Sequence, residues 1–290
     1  MTAGQLRRKL IQRPDLLSEG FSVTFAQGQV VDLPLPHIAD DYRRMDFTSA
    51  LALTLTIFAA AVLYSSVGHA GASAYLAAMA LFSVEPSVMR PTALALNILV
   101  AAIATLKFYR AGAFSWQVFR PFAATAVPFA FIGGSITLPT TIYRPLVGVV
   151  LLYAAFRLWH TARPDAAPAT RPPRVAVALV LGVGIGLLSG LTGVGGGIFL
   201  TPLLLLMRWA EARQAAGVSA AFILVNSIAG LLGQAPSLAS LPSVLPVWAG
   251  AVVAGGWIGA GYGSRRLGSL ALRRLLSVVL VIGGLKLIFG

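Results

Sequence analysis

From residue 47 onward the chain is a succession of apolar runs, and their lengths limit what it can fold into. Runs 47–64, 91–108, 118–137, 142–159, 175–192, 214–232, 244–262 and 270–289 are each long enough to cross a bilayer as a helix. In hydrocarbon no water is available to the backbone, so every N–H and C=O must be satisfied within a helix or a closed barrel. Spans of this length, at about 1.5 Å rise per residue, match helices rather than the much shorter strands of a barrel. Two further runs, 72–84 and 198–207, are too short. The longer of them reaches about 20 Å against a hydrocarbon core of about 30 Å. Each is expected to form a hairpin with the run before it, with its tip inside the membrane.

Those tips carry the second constraint. Gly190-Leu191-Thr192-Gly193-Val194-Gly195-Gly196-Gly197 places five glycines in eight residues between two apolar runs. Ser65-Ser66-Val67-Gly68-His69-Ala70-Gly71-Ala72-Ser73 is a degraded copy of it. Irregular backbone at membrane depth is tolerated only where it is buried in protein or lines a watery cavity. A glycine run before a new helix also leaves free N–H groups at the positive end of the helix dipole, which suits an anion. Two such breaks in corresponding positions of two halves point to a transporter's binding site.

The halves are related by duplication. Residues 65–76 align onto 189–200 without a gap at an offset of 124, and Glu85 and Glu211 head equivalent loops at an offset of 126. The expected organisation is a first repeat over 45–160, a cytoplasmic proline- and arginine-rich linker over 161–174, and a second repeat over 175–290. Each repeat would hold about four full-span helices and one short broken helix, giving an all-α, polytopic fold. Five segments per half would start the second half on the opposite face and invert it. One face then collects thirteen basic residues, including Lys107, Arg110, Arg157, Arg208 and Arg265, whereas the other has Arg90, Arg144 and Lys286. Basic residues mark the cytoplasmic side, so a multi-pass protein of the inner (plasma) membrane is expected.

Composition agrees. Hydrophobic residues make up 57% of the chain and charged ones 11%, which excludes an ordinary soluble domain. The net charge of +13 is expected to set topology and not to bind nucleic acid. The absence of cysteine removes thiol catalysis and cysteine-based metal sites. Residues 1–44 stand apart, with six basic and five acidic residues and no run of membrane length. Val30-Val31-Asp32-Leu33-Pro34-Leu35-Pro36 reads as extended chain. This extension is expected either to be mobile or to lie outside the native protein, with Met45 as the start.

Gly193-Val194-Gly195-Gly196-Gly197, followed by an aliphatic run containing Pro202 and set in a duplicated apolar chain, resembles the TauE/SafE sulfite exporter family over about residues 46–289. The resemblance implies export or uptake of small anions such as sulfite, organosulfonates or related carboxylates. It also implies a site between the halves near the midplane, and secondary transport without nucleotide hydrolysis. His69, Ala72 and Ser73 depart from the second copy, which has Gly193, Gly196 and Gly197.

The residues supply the candidates. No acidic residue lies inside an apolar run, the last four being Asp46, Glu85, Asp165 and Glu211, so a carboxylate ion relay has no candidate. Absence of membrane carboxylates also suits an anionic substrate. His69 is the side chain at membrane depth that titrates near neutral pH, with a substrate- or proton-linked role set against simple satisfaction by carbonyls. Asn97 and Asn226 lie in equivalent runs and should face inward, as donors to the anion or as helix–helix contacts. Ser65, Ser189, Thr192, Ser219 and Ser227 are further hydroxyl donors. The expected substrate-binding set is Gly68, His69, Gly71, Ser73, Asn97, Gly193, Gly195, Gly196, Gly197 and Asn226, with no catalytic residue, metal or cofactor. Gly182-x-x-x-Gly186-x-x-x-Gly190 and Gly255-x-x-x-Gly259-x-x-x-Gly263 permit close helix approach, within the chain or in a homodimer. A phosphate-binding loop is absent, and an intramembrane protease would need Gly-x-Ser-Gly or paired membrane aspartates, which are also absent. A channel lined by the same breaks is the closer alternative to a carrier.

Overall fold

The computed structural model describes residues 21–24, 30–33, 47–160, 171, 173–235, 241–264 and 270–289. The chain divides into two compact units, Met1–Arg44 and Met45–Gly290. In the first, β1 (Phe21–Thr24) pairs antiparallel with β2 (Val30–Leu33), with Phe21 opposite Leu33 and Thr24 opposite Val30. The extended stretch read from the sequence thus supplies one strand of this small hairpin. The linker reading falls mostly outside the described residues.

Among its described residues the second unit has helices as its regular elements. Its elements are α1 (Phe47–Ser65), α2 (Ala72–Leu81), α3 (Pro86–Arg110), α4 (Trp116–Ser135), α5 (Thr140–His160), α6 (Val175–Thr192), α7 (Gly197–Leu206), α8 (Ala212–Gly233), α9 (Leu245–Gly263) and α10 (Leu270–Phe289). Thr48–Ser65, Pro86–Arg110, Val175–Thr192 and Ala212–Gly233 are both long and apolar enough to cross a membrane. The helices α4, α5, α9 and α10 have 20, 21, 19 and 20 residues, or about 30 Å each. By contrast α2 and α7 have ten residues each, or about 15 Å. Residues 72–80 of α2 are all buried, so this half-length helix lies inside protein.

Local chemistry sets the ends. The Ser115 side chain accepts from the Val118 N–H at 3.4 Å and caps α4. α3 starts at Pro86 and not, as its apolar run suggests, at Pro91. Pro86 occupies the first turn, where no N–H is required, and Glu85 precedes it as N-cap.

The main helix pairs join one half to the other. α4 packs on α6, and its counterpart α9 packs on α1; α3 meets α8, and α5 meets α10. Small residues make these contacts close. A Cβ on Gly186 or Gly190 of α6 would run into the carbonyls of Ala126 or Ala130 on α4. A Cβ on Gly259 or Gly263 of α9 would run into Val62 on α1 or Ser66 just after it. Both glycine stripes are therefore used inside the chain. Phe122, Leu200, Leu204 and Phe222 fill the space among α4, α7 and α8.

Candidate functional site

The two breaks are built on left-handed backbone. Gly193, Gly195 and Gly196 have φ of +79°, +82° and +81°; Gly68 and Gly71 have +77° and +104°. For an L side chain this region costs about 1–2 kcal/mol, which explains glycine at these positions. Gly193 ends α6 with its N–H on the Ser189 carbonyl at 2.9 Å. Gly196 is the N-cap of α7. The N–H groups of that first turn have no carbonyl four residues back within the helix.

Each break lies against the other half. A Cβ on Gly193 would sit 3.0 Å from Arg90 Cγ, and one on Gly195 would sit 2.7 Å from Asn97 Nδ2, both on α3. A Cβ on Gly68 would meet the Ala216 carbonyl on α8. Glycine is thus required twice over, for its torsion and for the approach of the opposite half.

Asn97, 0% exposed, donates from Nδ2 to the Val194 carbonyl and to Ser227 Oγ, both at 3.4 Å. These are long bonds, and its Oδ1 has no partner. Asn226, also 0% exposed, has neither amide atom hydrogen-bonded, and the buried hydroxyls of Ser189 and Thr92 are likewise unpartnered. Ser189 borders the second break: its Cβ lies 3.4 Å from where a Gly196 Cβ would stand. Leaving such a group unsatisfied costs about 1–3 kcal/mol.

Three of the other predicted donors are occupied. Ser73 donates to Tyr64 Oη at 2.8 Å. Ser65 donates back to Val62 O at 3.3 Å, and Thr192 to Leu188 O at 2.7 Å. His69 joins the breaks: Nδ1 lies 3.2 Å from Val67 O, and Nε2 lies 3.2 Å from Gly197 O and 3.3 Å from Thr201 Oγ1. Thr201 in turn donates to Ser219 Oγ at 2.7 Å. Glu85 and Glu211 are exposed N-caps of α3 and α8, where a negative charge suits the helix dipole.

Arg90 is the residue the sequence reading misplaced. Counted there among surface charges, it is 7% exposed and sits in the early turns of α3. Nε donates to Gly190 O at 2.9 Å, and Nη1 to Ile136 O at 3.0 Å. Nη2 donates to Gly133 O, Gly134 O and Gly190 O at 2.6, 2.8 and 2.6 Å. These carbonyls end α4 and α6, where orphan acceptors and the negative dipole pole coincide. A helix start at Pro86 would have been the signal, since it moves Arg90 out of the loop.

A family model described as "Sulfite exporter TauE/SafE" matches residues 53–287. The chain is 44% identical over 245 residues to "Probable membrane transporter protein y4hK" of Sinorhizobium fredii, covering 83% of this chain and 99% of the relative. No solved structure matches.

Proposed function

The chain belongs to the sulfite exporter TauE/SafE family and is a membrane transporter, and we propose that it carries a small oxyanion, of the sulfite or organosulfonate class, by alternating access. The observation that carries this reading is the pair of unpartnered buried donors, Ser189 Oγ and Asn226 Nδ2, on helices that meet at the second break. A ligand oxygen accepting from Asn226 Nδ2, Ser189 and the Gly197 and Ile198 N–H groups would satisfy donors at the start of α7 and beside it. In the described membrane unit the carboxylates, Glu85 and Glu211, are exposed at helix starts, so none opposes an anion at the breaks.

The exchange of contacts between equivalent helices supports inverted halves that rock about this site. The thirteen basic residues that the sequence assigns to one face support placement in the plasma membrane with that face inward.

The test is a thermal-shift screen of purified protein against sulfite, sulfate, thiosulfate, sulfoacetate, taurine and small carboxylates, with Asn226→Leu alongside. At a hundredfold excess over Kd, a ligand binding only the folded state adds about 2.7 kcal/mol. A saturable shift from one anion class, lost in Asn226→Leu, is expected. No shift from any anion with folded protein refutes the anion site. Saturable counterflow in vesicles separates the carrier from a channel.

A further inference from the structure

His69 belongs to the first break, and its ring reaches the second. Nδ1 faces the Val67 carbonyl, and Nε2 faces the Gly197 carbonyl and Thr201 Oγ1. A carbonyl oxygen only accepts. The Thr201 hydroxyl, which also bonds Ser219 Oγ at 2.7 Å, is the third group the ring meets. A neutral imidazole has one N–H and can serve only one of these sides, whereas the imidazolium donates on both. Deprotonation therefore sets a lone pair against a carbonyl, either within the first break or across to the second.

We propose that His69 is the proton site of the transport cycle, so that one proton travels with each anion. This rests on the carrier reading above. Protonated, the ring ties the first break to Gly197 and adds a positive charge beside the anion; deprotonated, it loses one of the two ties. The proton joins a ring nitrogen from water on the side to which the site is open and returns to water on the other. With a monoanion, the combined movement is electroneutral.

The groups around the ring are compatible with this role. Tyr64 on α1 meets it edge-on, with ring centroids 6.2 Å apart, and its hydroxyl accepts from Ser73. Tyr75 on α2 donates to Ala70 O. α7 has no titratable side chain. On α8, Glu211 is exposed at the N-cap and Arg213 donates to Ser264 O. Arg90, across the second break, is held by the carbonyls of α4 and α6.

The experiment uses the full chain in proteoliposomes with the potential clamped at zero. Sulfoacetate is the driven probe, since its charge is constant around neutral pH, and sulfite and sulfoacetate counterflow at equal pH are run in parallel. Wild type is expected to accumulate sulfoacetate about tenfold per unit of imposed pH difference, the equilibrium ratio for one proton. In His69→Gln that endpoint falls to about one however slow the exchange. Counterflow without accumulation in wild type, or accumulation unchanged in His69→Gln, overturns the proposal and leaves the carrier reading standing. No counterflow of either anion overturns both. If His69→Gln carries nothing, Thr201→Val decides. It keeps the ring and removes a hydroxyl that bonds Nε2, so the pH of half-maximal counterflow must shift; an unchanged pH overturns the proposal.

Discussion

Arg90→Met removes the guanidinium while keeping a side chain of similar length, and it tests how the ends of α4 and α6 are held. Arg90 makes five hydrogen bonds to four carbonyls, those of Gly133, Gly134, Ile136 and Gly190. The substitution leaves those acceptors without a donor beside two helix ends. At about 1–3 kcal/mol per orphaned carbonyl, the ceiling is about 4–12 kcal/mol. Groups this close do not add, and helix ends relax, so the expected loss is about 3–5 kcal/mol, the range for breaking a buried charged contact. At about 2–4 °C per kcal/mol this lowers the apparent Tm by about 10 °C. The assay is unfolding of detergent-purified protein followed by tryptophan fluorescence, with size-exclusion chromatography after heating. Arg90→Lys should fall between, since an ammonium has three donors and no planar fork. A Tm for Arg90→Met within about 2 °C of wild type would refute the argument, because the carbonyls would then have other partners. Transport should fall along with stability, since the Arg90 stem lies against Gly193 of the second break.

Other outcomes follow from the same geometry. Gly68→Ala and Gly112→Ala share positive φ, +77° and +71°, but only the first meets a backbone carbonyl, while nothing lies within 4 Å of the second. Gly112→Ala should cost about 1–2 kcal/mol, whereas Gly68→Ala should cost several times that and lower the yield of folded protein; equal melting of the two would count against the close approach of the first break to α8. Asn226→Leu should melt at or above the wild-type temperature, because it removes a buried amide without partners, yet slow anion counterflow at least tenfold; normal counterflow would return Asn226 to a packing role. The chain has no cysteine, so Glu85→Cys and Glu211→Cys can be labelled without background. Inverted halves require an impermeant maleimide to reach Glu85→Cys from outside and Glu211→Cys only after permeabilisation, and labelling of both from one side would refute inversion.

The sequence by itself determined the helical architecture. In hydrocarbon an apolar run of the right length has one backbone solution, so the boundaries of α6 and α10 are those read from the runs. The breaks were legible for a related reason. Left-handed torsions at Gly193, Gly195 and Gly196 select glycine locally, whatever surrounds them. Asn97 and Asn226 could be assigned to the interior because an amide in lipid needs partners, but which of their atoms would lack one could not be read. Only the tertiary structure decided that the glycine stripes of α6 and α9 close on α4 and α1 within the chain. It also turned Arg90 from a loop charge into a clamp, and it set carbonyls against both nitrogens of His69. The reason is sequence distance. Arg90 meets a carbonyl 100 residues away, and His69 meets Gly197 and Thr201 at separations of 128 and 132. Local composition fixes what a segment becomes, but the partners of a buried polar atom depend on which helices the fold places beside it.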